Sequence, residues 1–290
     1  MNYVDVFYIS DDGLRLYARD YPGPEKDAPV ILCLHGLTRN SKDFASLAEA
    51  LQHNYRIICP DQRGRGRSQR DIDATRYRPE RYVQDMHTLQ RVLCVSKWAV
   101  IGTSLGGLMA MLMMATDAQR INGVILNDIG PVVDPQGLNC IASYVGKTAS
   151  VQNWDEAAQQ AATTNGLAFP DYDGPAWQAM ARDLYIQEGS VPVLDYDPAI
   201  AIGVVAAASN NLWPLLNNAV GQPMLVIRGE TSDILSARTL DEMKQRLPHL
   251  VAVTVAGRGH APTLNEPVAQ AAIMLFLANL NQTKTTPKLI

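Results

Sequence analysis

Residues 98–115 read WAVIGTSLGGLMAMLMMA, an apolar run that stops at a single serine and is followed by a second apolar run of helical length. Ser104 stands at the join, with Gly102 two residues before it and Gly106 two residues after it. A strand that passes sharply into a helix forces its turning residue into a sparsely populated backbone conformation. Side chains two positions to either side would collide, and the two glycines relieve that crowding. The serine hydroxyl is then left exposed at the end of the sheet. Beneath it the helix N-terminus offers unpaired N–H groups and a partial positive charge, which favour an oxyanion.

Working outward from this turn, the sequence repeats the same alternation. Apolar runs at 29–36, 55–61, 98–104 and 121–128 are separated by helix-like stretches at 41–51, 80–95 and 104–116. Continuous rather than alternating hydrophobicity marks strands covered on both faces, so a parallel sheet with helices on either side is expected. Ahead of it, VDVFYIS, the turn signal DDG and LRLYARD read as an antiparallel hairpin. The alternation stops between Gly130 and about Val220, where short helices and proline-bearing loops replace it, and resumes with strands at 223–230 and 250–257 and helices at 236–247 and 266–280. The expected organisation is a core of residues 1–130 and 220–290 with a helical insertion, residues 131–219. The polar tail after Leu280 is expected to fray.

Composition narrows the function classes. The 290-residue chain is 47% hydrophobic and 19% charged, with 25 Lys and Arg against 29 Asp and Glu. A formal charge of −4 gives no general electrostatic reason to seek nucleic acid or an anionic membrane surface. No apolar run approaches the ~20 residues of a membrane span, and the N-terminal residues do not read as a secretory signal. A cytoplasmic protein, monomeric or homodimeric, is expected. Cys33, Cys59, Cys94 and Cys140 are far apart and form no C-x-x-C pair. Reduced core thiols are expected rather than disulfides or zinc ligands.

A serine hydroxyl needs a base to take its proton, and the base needs an acid to orient it. Of the five histidines, His53 and His249 lie in polar connections, His87 within a helix, and His35 at a strand end where it is expected to pin its loop. His260 is the candidate base. It stands in GRGHAP directly after the last strand, on a loop with Gly257 and Gly259. Two aspartates can supply the acid: Asp233, in the loop after the strand at 223–230, and Asp128, at the end of the strand at 121–128. Asp233 is favoured because its longer loop can reach the histidine, which leaves Asp128 a structural role at the start of the insertion. The backbone N–H groups of Leu37, after His35-Gly36, and of Leu105, after the serine, are the candidate oxyanion donors.

These pieces, HGLT at 35–38, DQRGRGRS at 61–68, GTSLGG at 102–107, Asp233 and GRGHAP at 257–262, resemble in type and order those of an α/β-hydrolase with a helical lid. The resemblance implies an eight-stranded, mostly parallel sheet, a triad of Ser104, Asp233 and His260, a lid inserted after the sixth strand, and no cofactor or metal. It also implies that the arginines of RGRGRSQR shape the wall of the site rather than bind a phosphate. Serine at the turn argues against the branches that use aspartate there, the haloalkane dehalogenases and epoxide hydrolases. Attack on a carboxylic ester, thioester or lactone is expected. Carbon–carbon bond hydrolysis, cofactor-free haloperoxidase or perhydrolase chemistry, and a non-catalytic binding role stand as alternatives. Tyr144, Trp154, Tyr172, Trp177, Tyr185 and Trp213 give the insertion enough aromatic area to favour a small, partly hydrophobic acyl substrate.

Overall fold

The computed structural model describes residues 2–147, 150–203, 211–217 and 221–282; the polar tail from residue 283 onward lies outside them. Eight strands form one sheet: β1 (Val4–Ile9), β2 (Arg15–Tyr21), β3 (Val30–Leu34), β4 (Arg56–Asp61), β5 (Trp98–Thr103), β6 (Ile121–Asn127), β9 (Met224–Gly229) and β10 (Leu250–Val255). Their order is β1-β2-β4-β3-β5-β6-β9-β10. The N-terminal hairpin pairs antiparallel, and β2 joins β4 antiparallel. All other pairs are parallel.

Period-two alternation explains why the central strands are apolar throughout. Ile31, Cys33, Ile57, Ile101, Ile125, Leu225 and Ile227 face one side, against α1 (Ala45–Leu51) and the last helix, Pro267–Gln282. Leu32, Leu34, Ile58, Val100, Val124, Leu126 and Val226 face the other, against α2 (Pro79–Val92) and α3 (Leu105–Asp117). The methionines of α3 at 109, 111, 113 and 114 are all essentially inaccessible to solvent, as expected for a helix that is apolar all round.

The insertion leaves the sheet after β6 and returns to it at β9. It contains α4 (Pro135–Tyr144), α5 (Trp154–Asn165), α6 (Gly174–Leu184) and a short helix at Trp213–Asn217. Side-chain caps explain its helix starts: Asp134 accepts from the N–H of Gln136, Asn153 from Glu156 and Asp173 from Ala176. Packing of α5 on α6 gives it a small core of its own around Ala157, Ala161, Phe169, Met180 and Leu184.

One element differs from the sequence reading. YIQE continues a helical stretch in the sequence, yet the helix ends at Leu184, and β7 (Tyr185–Glu188) pairs antiparallel with β8 (Val191–Leu194). The two-residue Gly189-Ser190 turn, with Gly189 at φ 57°, drives the chain back on itself as a hairpin. The cysteines also divide differently: all four are free, but only Cys33 and Cys59 are buried, while Cys94 and Cys140 are exposed. Among the described residues no helix is long and apolar enough to cross a membrane.

Candidate active site

Ser104 sits between β5 and α3 with φ 52° and ψ −115°, a conformation that non-glycine residues rarely adopt and that the surrounding packing must hold in place. The flanking glycines are required by backbone contact. A Cβ on Gly106 would lie 2.0 Å from the carbonyl oxygen of Leu34 on β3, and one on Gly102 would lie 2.3 Å from that of Gly106. The N–H of Ser104 donates to the carbonyl of Asn127 at 3.0 Å, which ties the turn to the end of β6.

His260 reaches this serine from the loop after β10. Its Nε2 lies 2.8 Å from Ser104 Oγ, and its Nδ1 lies 2.8 Å from Oδ2 of Asp128. A carboxylate only accepts, so Nδ1 carries the proton and Nε2 is left to accept from the serine hydroxyl. The loop is held by the Asn127 side chain, which donates to the carbonyl of Pro262 at 2.8 Å, and by the N–H of Gly259 bonding to Ala168 of the insertion at 3.0 Å. Arg258 grips Asp171 of the insertion with both terminal nitrogens and Glu266 with Nε.

The carboxylate that His260 meets is therefore Asp128, and not Asp233, the one favoured from sequence. Asp128 is fully buried and turns out of the end of β6 at φ 55°. Its carboxylate accepts from the N–H of Gly229 at 2.8 Å, the hydroxyl of Ser232 at 2.5 Å and His260. Asp233 is exposed and makes no hydrogen bond to His260. Its backbone packs against the start of α4, where a Cβ on Gly137 would meet the Asp233 carbonyl at 2.4 Å. The loop after β9 does turn toward the histidine, but it brings in Ser232, which orients the carboxylate of the neighbouring strand. Sequence reasoning passed over Ser232 because a serine beside an aspartate carries no mark of its own.

The loop of His35, Gly36 and Leu37 is fixed by every one of its carbonyls. Gln62 donates from its side chain to the carbonyl of His35 at 2.9 Å, His35 Nδ1 donates to that of Gly36 at 2.7 Å, and Arg65 Nε donates to that of Leu37 at 2.9 Å. His35 is completely buried and accepts the N–H of Gln62 on Nε2 at 3.0 Å, so it pins the loop as expected. Arg63 and Arg65 are buried as well. Arg63 forks onto Asp85 and reaches Asp71 and Asp12, while Arg65 also bonds the hydroxyl of Tyr82. Arg63 is thus committed to carboxylates, and Arg65 braces the loop through Nε and one terminal nitrogen, its other terminal nitrogen being buried without a partner.

Burial pushes His35 down to about 3, against an ordinary histidine value of about 6.5 in the unfolded chain. The folded protein thus binds fewer protons here than the unfolded one, and the stability this neutral imidazole supports is complete above pH 6.5 and lost as pH falls toward 3. Lowering the pH from 7 to 5 is expected to cost on the order of 2 kcal/mol through this group alone. Urea unfolding at both pH values measures it; a His35→Gln protein should lose less over the same interval, and an equal loss in both proteins would contradict the assignment.

Above the Ser104–His260 pair lies a cavity of about 440 Å³ between the sheet end and the insertion. Leu37, Ile141, Tyr144, Phe169, Tyr172 and Met180 form its apolar walls, and Arg39, Asp43 and Asp183 its polar end. Of the six aromatics singled out in the sequence, Tyr144 and Tyr172 reach the cavity. Trp154, Trp177 and Tyr185 belong to the core of the insertion and Trp213 to the main core. The described acidic groups close enough to share a cation are Asp11, Asp12 and Asp85. They surround Arg63 and Arg81, whose charge already answers theirs.

Residues 29–267 match the family model of the α/β hydrolase fold. The chain belongs to the α/β-hydrolase family. It is 35% identical over 276 residues to a 3-hydroxybutyrate-oligomer hydrolase of Cupriavidus necator, covering 91% of this chain and 93% of the relative. A 2-(acetamidomethylene)succinate hydrolase of Mesorhizobium japonicum is 28% identical over 233 residues, covering 80% and 81%. Among solved structures, an α/β hydrolase of Novosphingobium aromaticivorans superposes with a TM-score of 0.90 at 42% identity, over 95% of this chain and 98% of that one. The protein is a hydrolase of this fold.

Proposed function

We propose that the protein is a serine hydrolase that cleaves a carboxylic ester, thioester or lactone through an acyl-enzyme, with Ser104, His260 and Asp128 as its triad. The observation that carries this reading is the continuous hydrogen-bond chain from Ser104 Oγ through both nitrogens of His260 to a buried carboxylate. Ser104 attacks the carbonyl carbon while Nε2 of His260 takes its proton, and Asp128 stabilises the imidazolium that forms. The oxyanion accepts from the N–H groups of Leu37 and Leu105. Support comes from the braced carbonyls of the first loop and from the position of Leu105 at the start of α3, where the helix dipole favours negative charge. His260 then protonates the leaving alcohol, and water repeats the cycle on the acyl-enzyme.

Residues 131–219 serve as the lid on a core of residues 1–130 and 220–290. Their apolar side chains over Ser104 suit a small, partly hydrophobic acyl group and exclude bulk water from the reacting carbonyl. The similarity to the 3-hydroxybutyrate-oligomer hydrolase makes short oligoesters of hydroxy acids the first substrates to try. The purified protein is expected to hydrolyse 3-hydroxybutyrate dimer and a chromogenic butyrate ester. With the latter it should release a burst of alcohol approaching one equivalent per protein whenever deacylation is slower than acylation. Inertness toward the dimer and toward a panel of short esters, thioesters and lactones would overturn the reading.

A further inference from the structure

The polar end of the cavity holds a cation whose hydrogen-bonding capacity is only partly used. Arg39 follows the loop that carries Leu37, and its Nε donates to both carboxylate oxygens of Asp43 at 2.8 and 2.9 Å. Its two terminal nitrogens bond to no group among the described residues, and the side chain lines the same cavity as Ser104 and His260. A point beside Gly36 lies 3.7 Å from Arg39 Cγ and 3.8 Å from Ser104 Cβ, so the arginine stem starts next to the nucleophile. Asp43 holds the guanidinium by one edge, and the terminal nitrogens remain as the planar fork that matches a carboxylate.

Resting on the serine-hydrolase reading above, we infer that Arg39 binds a carboxylate carried by the substrate and so selects esters with a free acid group near the scissile bond. Local charge favours a single carboxylate over a phosphate. Lys42 is already paired to Asp195 at 3.3 Å and Asp43 takes one edge of Arg39, so the anion meets the free edge of one guanidinium with no second unpaired cation beside it. Asp183 lines the same cavity, where burial and the nearby Asp43 charge raise its carboxyl above the usual range. The apolar walls take the rest of the molecule.

Two matched pairs of substrates distinguish where the acid group sits. Butanoyloxypropanoate against its primary amide places it on the alcohol-derived half; ethyl hydrogen glutarate against ethyl glutaramate places it on the acyl half. In at least one pair the acid is expected to exceed the amide in kcat/KM by roughly 10- to 100-fold, mainly through KM, as a charge-assisted fork would give. That ratio should collapse in Arg39→Gln and shrink in Arg39→Lys, which keeps the charge opposite Asp43 but loses the fork. A wild-type ratio near one in both pairs, or a ratio that survives either substitution, overturns the proposal. Calorimetric binding of the same compounds to Ser104→Ala protein reads the preference without turnover. Failure of the hydrolase reading, seen as no turnover of any of the four esters, is thereby separated from failure of the arginine site, seen as equal binding of acid and amide.

Discussion

Replacing Asp128 with asparagine is expected to lower kcat about 10⁴-fold on any ester the enzyme turns over, while Asp233→Asn leaves kcat within about twofold. The large effect follows from the partners of the carboxylate. The N–H of Gly229 and the hydroxyl of Ser232 both donate to residue 128, so an asparagine there turns its oxygen to them and its amide toward His260. The amide then donates to Nδ1, the proton moves to Nε2, and the imidazole can no longer accept from Ser104. Asp233 is exposed and bonds to neither His260 nor Ser104, so neutralising it removes no hydrogen bond of this network. Both variants are to be compared at matched thermal stability, and a loss confined to Asp233→Asn would reverse the assignment.

The same pair of aspartates shows how far the sequence could be read. The strand–serine–helix turn was legible because its requirements are local: two glycines at fixed offsets, an apolar strand before and an apolar helix after. His260 was legible for a similar reason, as the histidine directly following the last strand. Which aspartate meets His260 depended on a relation between neighbouring strands that no local pattern carries. β6 and β9 are adjacent and parallel, with Asn127 level with Ile227, so a residue leaving the end of β6 can cross the top of β9. Asp128 does so: its N–H bonds the carbonyl of Ile227 at 2.7 Å and its carboxylate the N–H of Gly229. Loop length, the criterion that favoured Asp233, measures reach but not direction.

The described part of the insertion is helical in the main, and its departures from the sequence reading have similar causes. The β7–β8 hairpin depends on one glycine-bearing turn inside a stretch whose preceding residues favour helix. The sequence gives the aromatics only as a combined area, because whether a ring faces the cavity or the core of the insertion is set by how α5 and α6 pack. Arg39, by contrast, carried no pattern at all; its place beside Ser104 follows from the tight turn after Gly36.

Removal of the nucleophile is the second large effect. Ser104→Ala is expected to lose about 10⁴- to 10⁶-fold in kcat, because the remaining imidazole and oxyanion donors have no hydroxyl to activate. The fold should hold, since alanine keeps the Cβ at the same strained turn. Covalent labelling tests the central claim most directly, for a phosphonylating probe reacts with an activated serine and not with an ordinary one. Incubation with a fluorophosphonate should add one label per chain, located by peptide mass spectrometry on Ser104, abolish hydrolysis in step with its incorporation, and leave Ser104→Ala unmodified. Full ester hydrolysis in a protein that takes up no label at Ser104 would contradict the account.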